Sequence, residues 1–259
     1  MHASAPDIAG TTIEDAAVTA VIPCLDEEDA IGGVVAAVRA QGVAEVIVVD
    51  GGSRDRTIER AVSAGARVVV ETRRGYGRAV QAGIAAAPHN TEILLFLDGD
   101  GSDRPECIPA LLEPITAGRA AFVSGSRVRG ECEPGSLSAQ QVVAGRIAGF
   151  LLRAFYGAQF TDMSPFRAIR RDVFERLGMR ETTYGWNLEM LMRVAASGLS
   201  SLEIPVGQRR RCGGVSKVSG NVLATVPAAW TIAATFIRLA MLLRDARRQR
   251  QSSALNRPS

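Results

Sequence analysis

The chain has two histidines, His2 and His89, and four cysteines, Cys24, Cys107, Cys132 and Cys212, among 259 residues. No two cysteines form a C-x-x-C pair. A zinc site and a disulfide framework are therefore both unexpected, and the thiols suit a reducing cytosol. A G-x-x-x-x-G-K-[ST] phosphate loop is missing. So is a G-x-G-x-x-G after the first apolar run, which ends in Pro23 instead. Those absences exclude a P-loop nucleotidase and an ordinary dinucleotide-binding domain. A large excess of one charge is also lacking: the net charge is +3, which argues against a dedicated nucleic-acid binder. Residues 1–17 carry Asp7, Glu14 and Asp15 and no apolar run, so no signal peptide is expected and the arm is read as disordered. No internal repeat and no long linker is visible.

What is present is a regular alternation. Hydrophobic residues make up 47% of the chain, enough for a substantial core. TAVIP is a short apolar strand, and Ala30 to Ala40 places Ile31, Val34, Val35 and Val38 at helical spacing. EVIVVD (45–50) is a continuous apolar run, as a strand covered on both faces should be. Arg56 to Ala64, Gly77 to Ala87 and Ile108 to Ala117 read as helices. ARVVVE, EILLFLD and AAFVSG read as strands. Strand and helix alternate through 18–125, the pattern of a doubly wound, mostly parallel α/β sheet. The GYGRAVQAG stretch (75–83) is glycine-rich but follows the third strand, and reads equally well as a loop entering a helix.

Ligands of such sheets bind beyond the carboxyl ends of the strands. Acids gather there. VIP runs into Asp26, Glu27 and Glu28, VVD ends in Asp50, and FLDGDGSD sets Asp98, Asp100 and Asp103 on one loop. A polar turn explains the last stretch alone. Acids after several strands point to cations or hydrogen-bond donors that offset them, and so to a nucleotide–metal site. Positive charge is uneven too, with Arg209, Arg210, Arg211 and Lys217 in one cluster and Arg244, Arg247, Arg248 and Arg250 in the tail. A basic tail beside an apolar stretch suits an anionic membrane surface or a phosphorylated ligand.

Two stretches bear on membranes. Residues 138–156 put Val143, Ile147, Phe150, Leu151, Ala154 and Phe155 on one side of a helix, with Arg146 and Arg153 on another. Residues 221–243 are more apolar, with a narrow seam of Thr231, Thr235 and Arg238. Their length would cross a bilayer, but Pro227 and Arg238 argue against a simple span. Two helices lying in the interface are expected, with core or subunit-interface helices as the alternative.

VIPCLDEEDAI, VIVVDGGSRDRT, GYGRAVQAGI, LFLDGDGSDRPE, VSGSR, SPFRAIRR, YGWNLEM and RRRCGGVSK stand in the order of the motifs of family 2 glycosyltransferases. The chain most resembles the branch of dolichyl- and polyprenyl-phosphate sugar synthases, over roughly 18–220. The resemblance implies a glycosyltransferase A (GT-A) fold, a nucleotide-sugar donor linked to UDP or GDP, and Mg²⁺ or Mn²⁺. It implies that Pro23, Glu27 and Asp50 hold the nucleoside, Asp50 by accepting a base N–H. Asp98 and Asp100 would bind the metal. Ser102 stands where the branch often has glutamine, which leaves the third ligand open. Arg127, Arg211, Ser216 and Lys217 would bind phosphate. Asp162 and Arg167 would face the acceptor, with Pro165 replacing the family's glycine, and Asp162 or Glu189 would take the proton of a hydroxyl acceptor. Trp186 would flank a sugar or lipid or pack in the core, and Glu189 would act as a base or pair with an arginine.

The expected organisation is a disordered arm (1–17), a catalytic domain (18–220) with 138–156 inserted, an apolar interfacial helix (221–245) and a disordered basic tail (246–259). The expected activity moves a hexose, with inversion, onto a lipid-linked phosphate at the cytoplasmic membrane face. A soluble transferase using a small hydroxylated acceptor and a binding protein without turnover are the rivals. A sugar-1-phosphate nucleotidyltransferase would need a glycine-rich, basic loop after the first strand, and Pro23-Cys24-Leu25-Asp26-Glu27 does not supply one.

Overall fold

A computed structural model describes residues 16–213 and 233–242. The strands are β1 (Val18–Cys24), β2 (Glu45–Asp50), β3 (Arg67–Val70), β4 (Ile93–Phe96), β5 (Phe122–Ser126), β6 (Arg167–Arg170) and β7 (Ser201–Pro205). The helices are α1 (Ile31–Arg39), α2 (Thr57–Ser63), α3 (Tyr76–Ala86), α4 (Ile108–Thr116), α5 (Ala139–Tyr156), α6 (Arg171–Leu177) and α7 (Trp186–Ser197). One seven-stranded sheet has the order β3-β2-β1-β4-β6-β5-β7. All neighbours are parallel except those of β6, which runs antiparallel to both β4 and β5.

The alternation along β2 shows why the sheet needs helices on both faces. Val46 and Val48 enter one core with Ile31, Val35 and Leu111; Ile47 and Val49 enter the other with Val80, Phe174 and Trp186. Successive strand side chains point to opposite faces, so a run apolar at every position is stable only when covered twice. Register then fixes the site. Cys24 lies opposite Asp50 and Val21 opposite Phe96, which brings the exits of β1, β2 and β4 to one edge. Apolar runs in the sequence announce five strands. β6 and β7 are additions to these, short and arginine- or glutamate-bearing, without an apolar run to announce them.

α5 shows which side of 138–156 meets the domain. Its start is fixed by Ser138 and Gln141 in a reciprocal capping box. The face turned to the domain is made of Gly145, Ala148, Gly149 and Leu152. A Cβ on Gly149 would lie 2.2 Å from the Phe160 carbonyl oxygen, so the close approach requires glycine. The larger apolar side chains are left outside: Phe150 is 70% and Phe155 68% exposed. Residues 233–242 form a helix of mixed character. Phe236 and Leu239 are buried, Phe236 against Phe155 at 5.5 Å between ring centres, and Arg238 pairs with Glu181. One face of this helix therefore belongs to the protein core. Ile237 and Met241 remain more than half exposed on the other. No helix among the described residues is long and apolar enough to cross a membrane.

Candidate active site

The floor of the site is knitted from the loops after β1 and β2. The N–H of Asp26 donates to Ser53 Oγ (2.8 Å), that of Glu27 to Thr57 Oγ1 (2.8 Å), and that of Arg54 to Asp26 Oδ1 (2.9 Å). Pro23 sits within β1 opposite Val49. Asp50 is fully buried. Its Oδ1 accepts the N–H groups of Gly52 and Ser53, both at 2.8 Å, and its Oδ2 accepts the Ser53 hydroxyl. The expectation that Asp50 offers its carboxylate to a base is corrected: the group is committed to shaping its own turn.

Beyond β4 the chain makes an acidic turn. Gly101 has φ +77°, and a Cβ there would meet Cys212 Sγ at 2.6 Å, so both the turn and its packing call for glycine. The N–H of Ser102 donates to Asp100 Oδ1 (2.9 Å), and that of Asp98 to Asp103 Oδ2 (2.8 Å). Burial, then the negative charges of Asp103 and Asp100, raise the Asp98 pKa well above the usual carboxylate range. Burial also pushes Asp103 up to about 7, against the Asp98 N–H, which pulls it down. Asp103 Oδ1 is buried without a hydrogen-bond partner among the described residues. Three carboxylates this close are costly unless a cation joins them. Ser102 is itself buried, and Gln208 Nε2 donates to its hydroxyl at 3.2 Å.

Residues 209–213 lie across this turn. The Arg209 N–H donates to Ser102 O (2.9 Å) and the Cys212 N–H to Asp100 O (3.1 Å). Arg211 then joins two acids: Nη2 stands 2.6 Å from Glu27 Oε1 and Nη1 3.2 Å from Asp100 Oδ2. Ser216 and Lys217 lie outside the described residues.

Other expected site residues are turned inward. Asp162 is buried and grips Arg127 through both carboxylate oxygens, at 2.7 and 2.8 Å. Burial alone would raise Asp162, but the guanidinium outweighs it and holds the carboxyl below its ordinary value. An acid so paired is a poor base, which corrects that expectation, and Arg127 has given its fork to Asp162 rather than to a ligand. Arg167 is 0% exposed on β6, donating to the carbonyls of Asn187 (3.2 Å) and Ser164, so it does not face an acceptor. Burial brings its pKa down to about 10. Glu189, 1% exposed, accepts the N–H groups of Arg180 and Glu181 and the Arg193 guanidinium, which corrects its reading as a base. Trp186 packs on Phe174 with ring centres 6.0 Å apart and touches no open surface. The glycine-rich 75–83 stretch is a helix entry: the N–H groups of Gly77 and Arg78 are taken by the carbonyls of Thr183 and Thr182.

Asp103 stands with Asp98 and Asp100, as the FLDGDGSD stretch suggests, although the family resemblance gives it no role of its own. Gln208 has no signal in the sequence, since 106 residues separate it from Ser102 and only the pairing of β7 with β5 brings it near.

The arrangement is thus an acidic strand-end rim, crossed by a basic strap, on a sheet with one antiparallel insertion. The fold is shared with glucosyl-3-phosphoglycerate synthase from Mycobacterium tuberculosis, solved with Mn²⁺, UDP and phosphoglyceric acid. It superposes with a TM-score of 0.66 at 23% identity, over 86% of this chain and 78% of that one. This is the GT-A fold. An uncharacterized glycosyltransferase of Mycobacterium tuberculosis is 39% identical over 212 residues, 81% of this chain and 93% of its own length. A dolichyl-phosphate hexose transferase of Haloferax volcanii is 36% identical over 206 residues, 78% of this chain and 86% of its own. Residues 19–178 match the sequence profile of Glycosyl transferase family 2, and with the fold and these relatives the chain belongs to that family and is a glycosyltransferase.

Proposed function

We propose that the chain is a metal-dependent, inverting hexosyltransferase that takes its sugar from a UDP- or GDP-linked donor and delivers it to a polyprenyl- or dolichyl-phosphate-type lipid. The observation that carries this reading is the rim of Asp98, Asp100 and Asp103 with Arg211 set against it. Asp98 and Asp100 fit Mg²⁺ or Mn²⁺, because their hard oxygens repel one another in a partly buried turn. No group of three or more acidic, histidine or cysteine ligands is arranged for a metal among the described residues. That is no obstacle, since such ions are held by one or two carboxylates together with substrate phosphates. When bound, the cation supplies charge neutralisation of the departing nucleoside diphosphate. In this reading Pro23, Glu27 and the loops after β1 and β2 seat the nucleoside. Arg211, with Ser216 and Lys217 beyond the described strap, meets the phosphates.

Two paired acids support this choice of acceptor. A hydroxyl acceptor needs a base, and Asp162 and Glu189 are both locked to arginines. A lipid phosphate is already anionic and attacks the anomeric carbon from the face opposite the leaving group without one. The name of the Haloferax relative supports the same acceptor class. The exposed apolar side chains of α5 and of 233–242, with Arg146 and Arg153 exposed beside them, support a peripheral seat on an anionic, cytoplasmic membrane face.

The test is to incubate purified protein with Mn²⁺ or Mg²⁺ and a panel of UDP- and GDP-sugars, with polyprenyl phosphate, with 3-phosphoglycerate, or with neither, and to follow nucleoside diphosphate. Release is expected with polyprenyl phosphate and one donor, and should vanish in Asp100→Asn with the fold retained. Release with 3-phosphoglycerate alone would promote a soluble acceptor. No release with any combination would leave a binding protein.

A further inference from the structure

Arg211 stands where two demands conflict. Both oxygens of Asp100 are engaged, Oδ1 by the Ser102 N–H and Oδ2 by Arg211. A divalent cation arriving at Asp100 would meet a guanidinium 3.2 Å from the oxygen it needs. Like charges that close oppose each other, so each weakens the other's hold on Asp100. Removing the arginine alone is also unfavourable. Glu27 and Asp100, both largely buried, would each lose the counter-charge that Arg211 supplies.

The strap is built so that this side chain can move by itself. Its backbone is anchored to the acidic turn on either side of Arg211, by the N–H groups of Arg209 and Cys212. The Arg211 side chain keeps a quarter of its surface exposed. It can therefore turn from carboxylates to another anion without the strap leaving the turn.

We propose that Arg211 is a two-position counter-ion: with the donor site empty it neutralises Glu27 and Asp100, and it passes to the donor's diphosphate as a divalent cation takes its place on Asp100. This rests on the diphosphate donor and metal proposed above. Nucleotide and metal then bind cooperatively, because each removes the obstacle to the other. The arrangement also keeps stray divalent cations off the rim until a donor is present.

The experiment uses the full chain and measures Mn²⁺ binding by the electron paramagnetic resonance of the free ion, without nucleotide and with UDP or GDP. The ion's own affinity for each nucleotide is measured separately. Arg211→Gln should bind Mn²⁺ several-fold more tightly than the wild type without nucleotide, and should lose most of the gain that nucleotide brings. Arg211→Lys keeps the charge but not the fork and should fall between, which decides the matter if the glutamine variant misfolds. Asp100→Asn serves as the control without a metal site. Equal or weaker nucleotide-free Mn²⁺ binding in both Arg211 variants overturns the proposal while leaving the metal reading intact. Absence of Mn²⁺ binding in the wild type, with and without nucleotide, overturns both.

Discussion

Asp162 holds Arg127 at three points: Oδ2 accepts both the Arg127 backbone N–H (2.9 Å) and Nε (2.7 Å), and Oδ1 accepts Nη2 (2.8 Å). Both residues are buried. The contact ties the end of β5 to the segment leading into β6, and Glu203 on β7 ties that segment again through the Thr161 N–H at 2.7 Å. Three sheet strands are thus clamped beside the acidic turn.

Asp162→Asn should therefore destabilise the fold by about 3–5 kcal/mol, the scale for leaving a buried charge unpaired. The carboxyl titrates below its unfolded value of about 3.9. Its contribution is present above that value and is lost as pH falls through the lower, folded one. Urea midpoints should show the variant much weaker at pH 7, with the gap closing as pH drops below about 4. A constant gap across that range would remove the ion pair as its cause.

Glu189→Gln separates structure from catalysis. The glutamate accepts two backbone N–H groups of the 180–181 turn and pairs with Arg193 one turn along α7. Loss of its charge should cost about 1–3 kcal/mol of stability. The acidic limb of the pH–rate profile should stay where it is, since the group does not take a proton from the acceptor. A limb that disappears in the variant would restore Glu189 as a base.

Gly149→Ala tests the seating of α5. The added carbon would press on the backbone carbonyl of Phe160, which cannot rotate away as a side chain could. A loss of about 1–3 kcal/mol is expected, the usual range for forced overpacking. Thermal melting of the variant beside Ala144→Gly, a change at a position of the same helix that is only half-buried, would distinguish crowding from helix propensity.

Much of this was legible in the residues. The uninterrupted apolar run of 46–49 showed a doubly covered strand, and the aspartates after 97 showed where β4 ends. What stayed hidden depends on contacts that sequence spacing does not carry. Asp50 looked available because a strand-end acid often is; its turn closes back on it within three residues. Arg127 and Asp162 are 35 residues apart and meet only because β6 enters between β4 and β5. The Glu189–Arg193 pair, at helical spacing, was readable and was weighed as an alternative. On α5 the large apolar residues drew attention, while the glycine seam at 145 and 149 decided which side faces the protein.

That outward apolar side leads to a membrane prediction with two separable parts. Phe150 on α5 and Met241 on the 233–242 helix are 70% and 56% exposed, and neither takes part in the ring contact that docks the two elements. Burying a side chain of this size in an apolar phase is worth about 1.5–3 kcal/mol. Arg146 and Arg153 lie exposed on α5 and add attraction to anionic headgroups. Salt screens that attraction within roughly 8 Å at physiological strength but leaves the apolar part. Co-sedimentation with vesicles of phosphatidylglycerol and phosphatidylcholine should therefore fall, without vanishing, as salt rises. The double change Phe150→Ser and Met241→Ser should lower binding at least about tenfold at every salt concentration, with melting temperature unchanged, because both side chains already face water in the free protein. Arg146→Gln with Arg153→Gln should instead flatten the salt dependence and leave high-salt binding as it was. Wild-type protein that stays in the supernatant at low salt would take the membrane out of the proposed function and leave the outward phenylalanines to another partner.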